Sequence, residues 1–107
     1  MTSNGTWRDA QRDAQRMASG ILLAAANDWN AALDGRTPHG MARSEAKTPE
    51  QREGILREIR RFFRGEWGRM LCDCCGVDAR RMLGRLEDKY SASALRRDAL
   101  KEGRAHA

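Results

Sequence analysis

Three cysteines are the residues best suited to chemistry in this sequence. Cys72, Cys74 and Cys75 lie almost side by side. Thiolates bind zinc, but a closed zinc site needs four ligands in tetrahedral geometry, usually supplied as separated pairs. Only His39 or His106 could complete the set. Because an odd number of adjacent cysteines also cannot join distant segments, we predict free thiols in a reducing compartment and no metal site.

Patterns that support catalysis are missing from the rest of the sequence. There is no Ser-His-Asp set, no paired-carboxylate motif and no glycine-rich loop of the kind that holds phosphates. Both histidines fall in segments without helical or strand periodicity. We therefore predict that the protein is not an enzyme and uses no cofactor.

Arginine is the residue type that the sequence supplies in excess. The 107 residues include 20 basic and 15 acidic side chains, giving a formal net charge of +5, and 17 of the basic residues are arginine. The planar guanidinium group binds phosphate or carboxylate through two parallel hydrogen bonds, so this bias suits nucleic acid or an acidic protein surface. A GC-rich genome would also enrich arginine, and that explanation stays open.

Two groups of arginines are the candidate binding residues. The first lies on one side of a predicted helix, away from Ile59 and Phe63, and the second follows Asp78 and extends into the C-terminal segment. Together they comprise Arg57, Arg60, Arg61, Arg64, Arg80, Arg81, Arg85, Arg96 and Arg97. For the first group, a solvated face with internal ion pairs is the alternative, since Glu53 precedes Arg57 by one helical turn.

The segment Met70 to Leu86 can be interpreted as a helix-turn-helix motif. Gly76 would form the turn, and Asp78 would begin a recognition helix that carries part of the second arginine group. Arg85 occupies the position near the end of that helix that should be apolar, and Leu86 follows one place late. The alternative is an ordinary helix pair with a basic, solvent-facing side.

Helices are the elements predicted to position these arginines. Apolar spacings of three and four indicate a first helix from Thr6 to Leu33. Its predicted buried stripe is Trp7, Ala10, Ala14, Met17, Ile21, Ala25, Trp29 and Ala32. A second helix should start at Thr48, where Thr48 and Gln51 can form a capping box. It either continues as one long helix or breaks near Gly65.

Two further helices are predicted beyond Gly76. One buries Met82, Leu83 and Leu86, and the other, from Ser91 to Glu102, has few apolar residues and should dock loosely. No strand-like alternation occurs, so the predicted fold class is all-α, a single small bundle of about four helices with a loosely docked C-terminal helix. The core is predicted to be built around Trp29, Ile59, Phe62, Phe63, Trp67 and Leu83.

The pattern divides the chain into a disordered N-terminus at residues 1–5, a helical domain at residues 6–90 and a basic C-terminal segment at residues 91–107. Residues 35–47 are expected to form a flexible loop, because they combine glycine, proline and serine without periodicity. No apolar stretch approaches the length of a membrane span, and no secretion signal is visible. We expect a cytoplasmic protein with no membrane partner.

The segment Ile59 to Trp67, followed by Leu71, resembles small, mostly uncharacterised proteins encoded by bacteriophages and prophages. Their pattern is two aromatics, arginine, a small residue, an acid, tryptophan and then leucine. Residues 78–86 are similar to their next helix, and residues 29–33 to the end of their first helix. Gly68 stands where those proteins usually have an aromatic, and Ala79 and Arg80 stand where they have Gly-Glu. The resemblance implies phage origin and a helical fold.

These features together predict a phage-encoded, non-enzymatic binding module that acts in the cytoplasm of the host cell. The leading hypothesis is that it binds a host protein with an acidic surface and inhibits a defence or nucleic-acid-processing factor. The alternative hypothesis is a helix-turn-helix-like regulator that binds nucleic acid through the second arginine group.

Overall fold

Four helices make up the protein in a computed structural model that describes residues 3–40 and 45–105. They are α1 (Ser3–Leu33), α2 (Pro49–Arg64), α3 (Glu66–Cys74) and α4 (Ala79–Ala105). The described residues contain no strand. The predicted all-α bundle is confirmed. Helix α1 begins three residues before the predicted start at Thr6, and residues 1 and 2 of the predicted disordered N-terminus lie outside the described part.

Helix α2 begins where the sequence predicts, because its cap is encoded locally. The Thr48 hydroxyl accepts a hydrogen bond from the Gln51 amide at 3.1 Å, and the Gln51 side chain accepts one from the Thr48 amide at 3.0 Å. Pro49 occupies the first turn, where its missing N–H group costs nothing. The predicted capping box is confirmed.

A sharp bend at Gly65 separates α2 from α3, which confirms the second of the two predicted alternatives. Gly65 has an extended backbone, and its N–H group donates to the carbonyl of Arg61 at 3.0 Å. Gly68 then packs directly on the end of α2. A Cβ atom at Gly68 would lie 2.1 Å from the carbonyl oxygen of Phe62, so no side chain fits there. The bend therefore depends on the absence of a side chain at Gly68.

The core lies between α1 and the other three helices. Its buried apolar side chains include Trp29, which is fully buried, and Phe63, and they continue onto α3 and α4 through Leu71, Cys72, Leu83 and Leu86. The predicted core positions Trp29, Ile59, Phe63 and Leu83 are confirmed. Phe62 is only partly buried and packs at the edge of this core.

The prediction that Trp67 lies in the core is wrong, since 54% of its surface is exposed. The prediction assumed one helical phase from α2 onward. The bend at Gly65 changes which side of the following helix faces the core. Helix α3 therefore buries Gly68, Leu71 and Cys72. Met70 is exposed for the same reason.

The predicted buried stripe of α1 is also wrong over its first half. Trp7 and Met17 are 77% and 70% exposed, and from residue 7 onward the first buried side chain is that of Ala18. Further along, Ala18, Leu22, Ala25 and Trp29 form the core-facing side. Residues 7–17 of α1 project past the end of the bundle, where no helix of the described structure covers their apolar positions.

Helix α4 is continuous from Ala79 to Ala105, so the prediction of a separate helix beginning at Ser91 is wrong. No glycine or proline occurs between residues 85 and 102, so nothing in the sequence ends the helix there. Leu95 and Leu100 are both exposed, and the described side chains of residues 95–100 all face solvent. The C-terminal part of α4 is therefore only loosely docked, as predicted for this segment.

Both described ends of the loop between α1 and α2 contain buried residues, and one end contacts α1. Asp28 is buried, and its carboxylate accepts a hydrogen bond from the Gly40 amide at 2.8 Å. Pro38 and Ala46 are buried as well. Residues 41–44, in the middle of the predicted flexible loop, lie outside the described part of the chain.

The molecule is long and narrow, with principal extents of 73 × 24 × 20 Å. Cys75, at the turn between α3 and α4, contacts Gln15 and Ser19 of α1. Tyr90 of α4 contacts Glu53, near the start of α2. These contacts place α1 and α4 side by side and parallel, so the start of α1 and the end of α4 project from opposite ends of the bundle.

Candidate binding groove

A groove of about 1080 Å³ lies where the end of α2, the outer side of α3 and the start of α4 meet. Its lining residues are Phe63, Arg64, Arg69, Asp73, Gly76, Val77, Asp78, Ala79, Arg80, Leu83, Gly84 and Glu87. The lining contains no serine, threonine, cysteine, histidine or lysine. Its polar side chains are the guanidinium groups of three arginines and the carboxylates of Asp73, Asp78 and Glu87.

The turn between α3 and α4 gives the groove its shape. Gly76 has a φ of +68°, in the left-handed region that glycine reaches without strain. The Val77 amide donates back to the Cys72 carbonyl at 2.9 Å, which closes the end of α3. The Asp78 carboxylate accepts hydrogen bonds from the amides of Arg80 and Arg81, at 2.8 and 3.4 Å, and so caps α4. The predicted turn and cap are confirmed.

Three arginines from three different helices line the groove. Arg64 is the last residue of α2, Arg69 lies in the middle of α3, and Arg80 lies in the first turn of α4. All three are exposed, and none forms an ion pair within the described residues. Three guanidinium groups are therefore available for an external anion.

The acidic residues of the lining are mostly engaged by the protein itself. Glu87 accepts hydrogen bonds from Arg60, and Asp78 caps α4. Within the described part of the chain, Asp73 is the lining carboxylate that has no such contact. The positive charge of the groove arginines consequently exceeds the negative charge left to oppose it.

Arg60 has a structural role, although the sequence predicted it on a solvated face. Its guanidinium carbon lies 5.2 Å from the ring centroid of Trp29 and 5.3 Å from that of Tyr90. Its Nη2 atom donates to Glu87 at 3.2 Å. The hydrogen bond with Glu87 raises the pKa of Arg60 above its usual range. Arg60 therefore joins α2 to α1 and α4 and is not available to a partner.

The predicted ion pair between Glu53 and Arg57 is not formed. The Glu53 carboxylate instead accepts a hydrogen bond from the Tyr90 hydroxyl at 3.2 Å, which ties α2 to α4. Arg57 is exposed and has no ion pair with a described residue. The alternative of an internally paired arginine face is therefore not supported at this position.

The remaining candidate arginines lie away from the groove. Arg57 and Arg61 are exposed on α2, Arg81 and Arg85 on α4, and Arg96 and Arg97 on the projecting end of α4. Of the predicted binding residues, the groove brings together Arg64 and Arg80. It adds Arg69, which the sequence analysis missed, because only the bend at Gly65 turns α3 so that Arg69 faces the same space as Arg64.

The three cysteines have three different environments. Cys72 is fully buried, and this burial raises the pKa of its thiol. Cys75 is half-buried, with its Sγ atom 3.3 Å from the Ser19 hydroxyl, and Cys74 is exposed. Among the described residues no group of three potential ligands could hold a metal ion. His106, one of the two histidines considered as a ligand, lies outside the described part.

Comparisons with protein families, with curated proteins and with solved structures gave no match to this chain. Within the described residues, no helix combines the length and the apolar character that crossing a membrane requires. The function is therefore inferred from the groove.

Proposed function

We propose that the protein is a non-enzymatic binding module whose groove holds an acidic segment of a partner protein. The observation that supports this proposal is the convergence of Arg64, Arg69 and Arg80, which come from three helices and have no ion pair in the described structure. A guanidinium group binds a carboxylate through two charge-assisted hydrogen bonds. Three of them around one concavity favour a ligand with several carboxylates.

The apolar part of the lining favours a peptide over a bare polyanion. Val77 is partly exposed at the turn, beside Ala79 at the start of α4. Phe63 and Leu83 lie beneath them. A segment with an apolar side chain between acidic residues would match both the apolar surface and the surrounding cations.

The biological role that we propose is inhibition of a host factor by a phage protein. The phage origin comes from the resemblance of residues 59–71 to phage and prophage proteins. A small basic module can bind an acidic groove or an acidic segment of a defence or nucleic-acid-processing factor. The normal partner of that factor is then excluded from the same surface.

Nucleic-acid binding is a second candidate, which a separate observation favours. Helix α3, the turn at Gly76 and α4 follow in helix-turn-helix order, and Arg81 and Arg85 are exposed on α4 together with Arg80. The motif requires a buried apolar residue at the position of Arg85. The residue that is buried there is Leu86, one place later. Selection from random duplexes tests this candidate. Enrichment of one defined sequence would favour it, because base readout distinguishes sequences by about 10³-fold or more.

Fluorescence anisotropy with two arginine variants tests the groove. The groove variant carries Arg64→Gln, Arg69→Gln and Arg80→Gln, and the control variant carries Arg57→Gln, Arg61→Gln and Arg85→Gln. Both lose the same charge, and every substituted residue is exposed. The probes are a short labelled peptide of glutamate and leucine, its lysine and leucine counterpart, and a labelled random duplex.

We expect the groove variant to lose about 10-fold or more of its affinity for the acidic peptide and the control to lose under about 3-fold. Directed ion pairs contribute more than general attraction does, which supports this difference. Equal losses in the two variants, or tighter binding to the duplex than to the peptide, would contradict the proposal. A pull-down from host lysate with and without nuclease then separates a protein partner from one tethered by nucleic acid.

A further inference from the structure

The end of α3 brings two of the three cysteines to the same side of the helix. Cys72 and Cys75 are three residues apart, so their side chains leave α3 in similar directions, whereas Cys74 lies nearly opposite Cys72. The Cys75 amide donates to the Cys72 carbonyl at 3.0 Å, which makes the last turn 3₁₀-like. In a turn of this kind the side chains at the first and fourth positions eclipse each other. The thiols of Cys72 and Cys75 are therefore neighbours along the axis of α3.

Both thiols lie on the core side of α3. Cys72 is fully buried, and Cys75 is half-buried and packs against the same core. The Sγ atom of Cys75 lies 3.3 Å from the Ser19 hydroxyl and 3.8 Å from the Gln15 carbonyl, both on α1. Cys74 is exposed. Cys75 is therefore the member of the pair that solvent can reach.

The separation of the two residues fits a disulfide bond. Residues three apart in an α- or 3₁₀-helical turn have Cα atoms about 5–6 Å apart, and disulfides join Cα atoms about 4.4–6.8 Å apart. Their Cβ atoms must approach from about 5–6 Å to about 4 Å. Cys75 caps the end of α3 with a φ of −96° and a ψ of 1°. The residue that must move therefore already lies outside the regular helix.

We propose that Cys72 and Cys75 form a reversible disulfide bond when the reduced protein meets hydrogen peroxide. The Cys75 thiolate attacks the peroxide, so that the O–O bond breaks, a sulfenic acid forms on sulfur and hydroxide leaves. The hydroxide takes up the proton that Cys75 released. The Cys72 thiol then attacks the sulfenic sulfur, the S–O bond breaks, and water leaves with the proton of Cys72. Two thiols are oxidised by two electrons, and one peroxide is reduced to two waters.

The surroundings of the two thiols determine which one reacts first. Cys75 is half-buried, so a small oxidant reaches it, and the Ser19 hydroxyl can donate a hydrogen bond to its sulfur. Cys72 is closed to solvent, and its burial raises the pKa of the thiol, which keeps it protonated. Cys72 therefore acts as the resolving thiol, which is the neighbour that redox-sensitive cysteines commonly have.

Formation of the bond changes the contact between α3 and α1. The Sγ atom of Cys75 leaves Ser19 and Gln15 and moves toward Cys72. The Val77 amide donates to the Cys72 carbonyl at 2.9 Å, so the bond also tightens the turn that follows α3. That turn shapes the groove, but the proposed disulfide does not depend on what the groove binds.

Peroxide treatment of the Cys74→Ser protein tests the bond, because Cys72 and Cys75 are then the two thiols that remain. The monomer should lose two hydrogen atoms by intact mass. Both thiols should then resist alkylation in denaturant until dithiothreitol is added. Gain of oxygen atoms without loss of hydrogen would overturn the proposal.

Cys75→Ser is the matched control. It also keeps two thiols, but Cys72 and Cys74 point to nearly opposite sides of α3. Under the same treatment its monomer should form about 10-fold less intramolecular disulfide, because side chains that point apart cannot be bridged without backbone movement. Circular dichroism before oxidation should show intact helices in both variants. Equal yields of intramolecular disulfide in the two variants would overturn the assignment to Cys72 and Cys75.

NMR of the Cys74→Ser protein tests the structural consequence. On oxidation, new amide signals should appear for Ser19, Gly76 and Val77, and dithiothreitol should restore the original ones. The signals of residues 95–100 should stay in place, because this part of α4 is exposed and distant along the helix from the turn. A disulfide that forms while the Ser19 signal stays unchanged would overturn the proposed release of α1.

Discussion

At the scale of single residues, two arginines one turn apart on α2 have opposite roles. Arg60 is held by Glu87 and by the rings of Trp29 and Tyr90, whereas Arg64 is exposed and has no ion pair in the described structure. Both residues are arginine, and because they are four residues apart they lie on the same side of α2, so the sequence gives no reason to separate them. The difference comes from the neighbouring helices, which cover one side of α2 and leave the groove open on another.

Two tryptophans should respond differently to truncation. Trp29→Ala should lower the free energy of unfolding by about 3–5 kcal/mol, because Trp29 is fully buried and its loss leaves a cavity. Trp67→Ala should cost under about 1 kcal/mol, because about half of Trp67 is already in water. Urea denaturation followed by circular dichroism measures both. A larger loss for Trp67→Ala would mean that Trp67 packs more closely than the structure shows.

Two helical glycines provide a matched test of the bend. Gly68→Ala should destabilise the protein by about 1–3 kcal/mol, because the new methyl group would overlap the Phe62 carbonyl. Gly84→Ala should be neutral or stabilising by up to about 1 kcal/mol, since nothing lies near that position and alanine favours the helix. Thermal unfolding should rank the variants in this order. The reverse order would exclude the close approach at Gly68.

The thiols should differ in reactivity. Cys74 should react quickly with a thiol reagent at pH 8 in the native protein, because it is exposed. Cys72 should react only on unfolding, because burial both blocks the reagent and raises the pKa of the thiol, which lowers the thiolate fraction. Mass spectrometry of partially labelled protein identifies the modified residue. Early labelling of Cys72 would contradict its burial.

At the scale of the helices, local signals were predictable and relative orientations were not. Thr48 and Asp78 are caps whose bonding partners lie within three residues, so the sequence alone locates them. The side of α3 that faces the core depends on the angle at Gly65, which no periodicity encodes. That is why Trp67 was misplaced and Arg69 was missed.

The end of α4 should contribute little to stability. A chain that ends at residue 94 should unfold within about 0.5 kcal/mol of the full-length protein, because the described side chains of residues 95–100 are exposed. A chain that ends at Lys89 should be clearly less stable, since it loses Tyr90 and its hydrogen bond to Glu53. Denaturant titration of both measures the difference. A large loss on the first truncation would show that the end of α4 docks on the bundle.

At the scale of the whole molecule, the groove and the exposed residues 7–17 of α1 lie at the same end of an elongated bundle. The turn at Gly76 follows Cys75, whose thiol contacts the carbonyl of Gln15, near the end of this exposed stretch.

The groove itself could not be predicted from the sequence. Arg64 and Arg80 were recognised as candidate binding residues from their type, but seven other arginines had equal claim. What distinguishes the groove arginines is that Gly65 and Gly76 turn three helices toward one space. Such convergence is a property of tertiary structure, and comparison with known proteins supplied no match that could have substituted for it.

Titration of the isotopically labelled protein with the short glutamate and leucine peptide, followed by NMR, tests the groove most directly. The account predicts that the amide signals of Gly76, Val77 and Gly84 shift progressively, together with the side-chain signals of the groove arginines, while those of Arg57 and Arg61 stay in place. Shifts confined to the outer side of α2, or to residues 95–100 of α4, would contradict it.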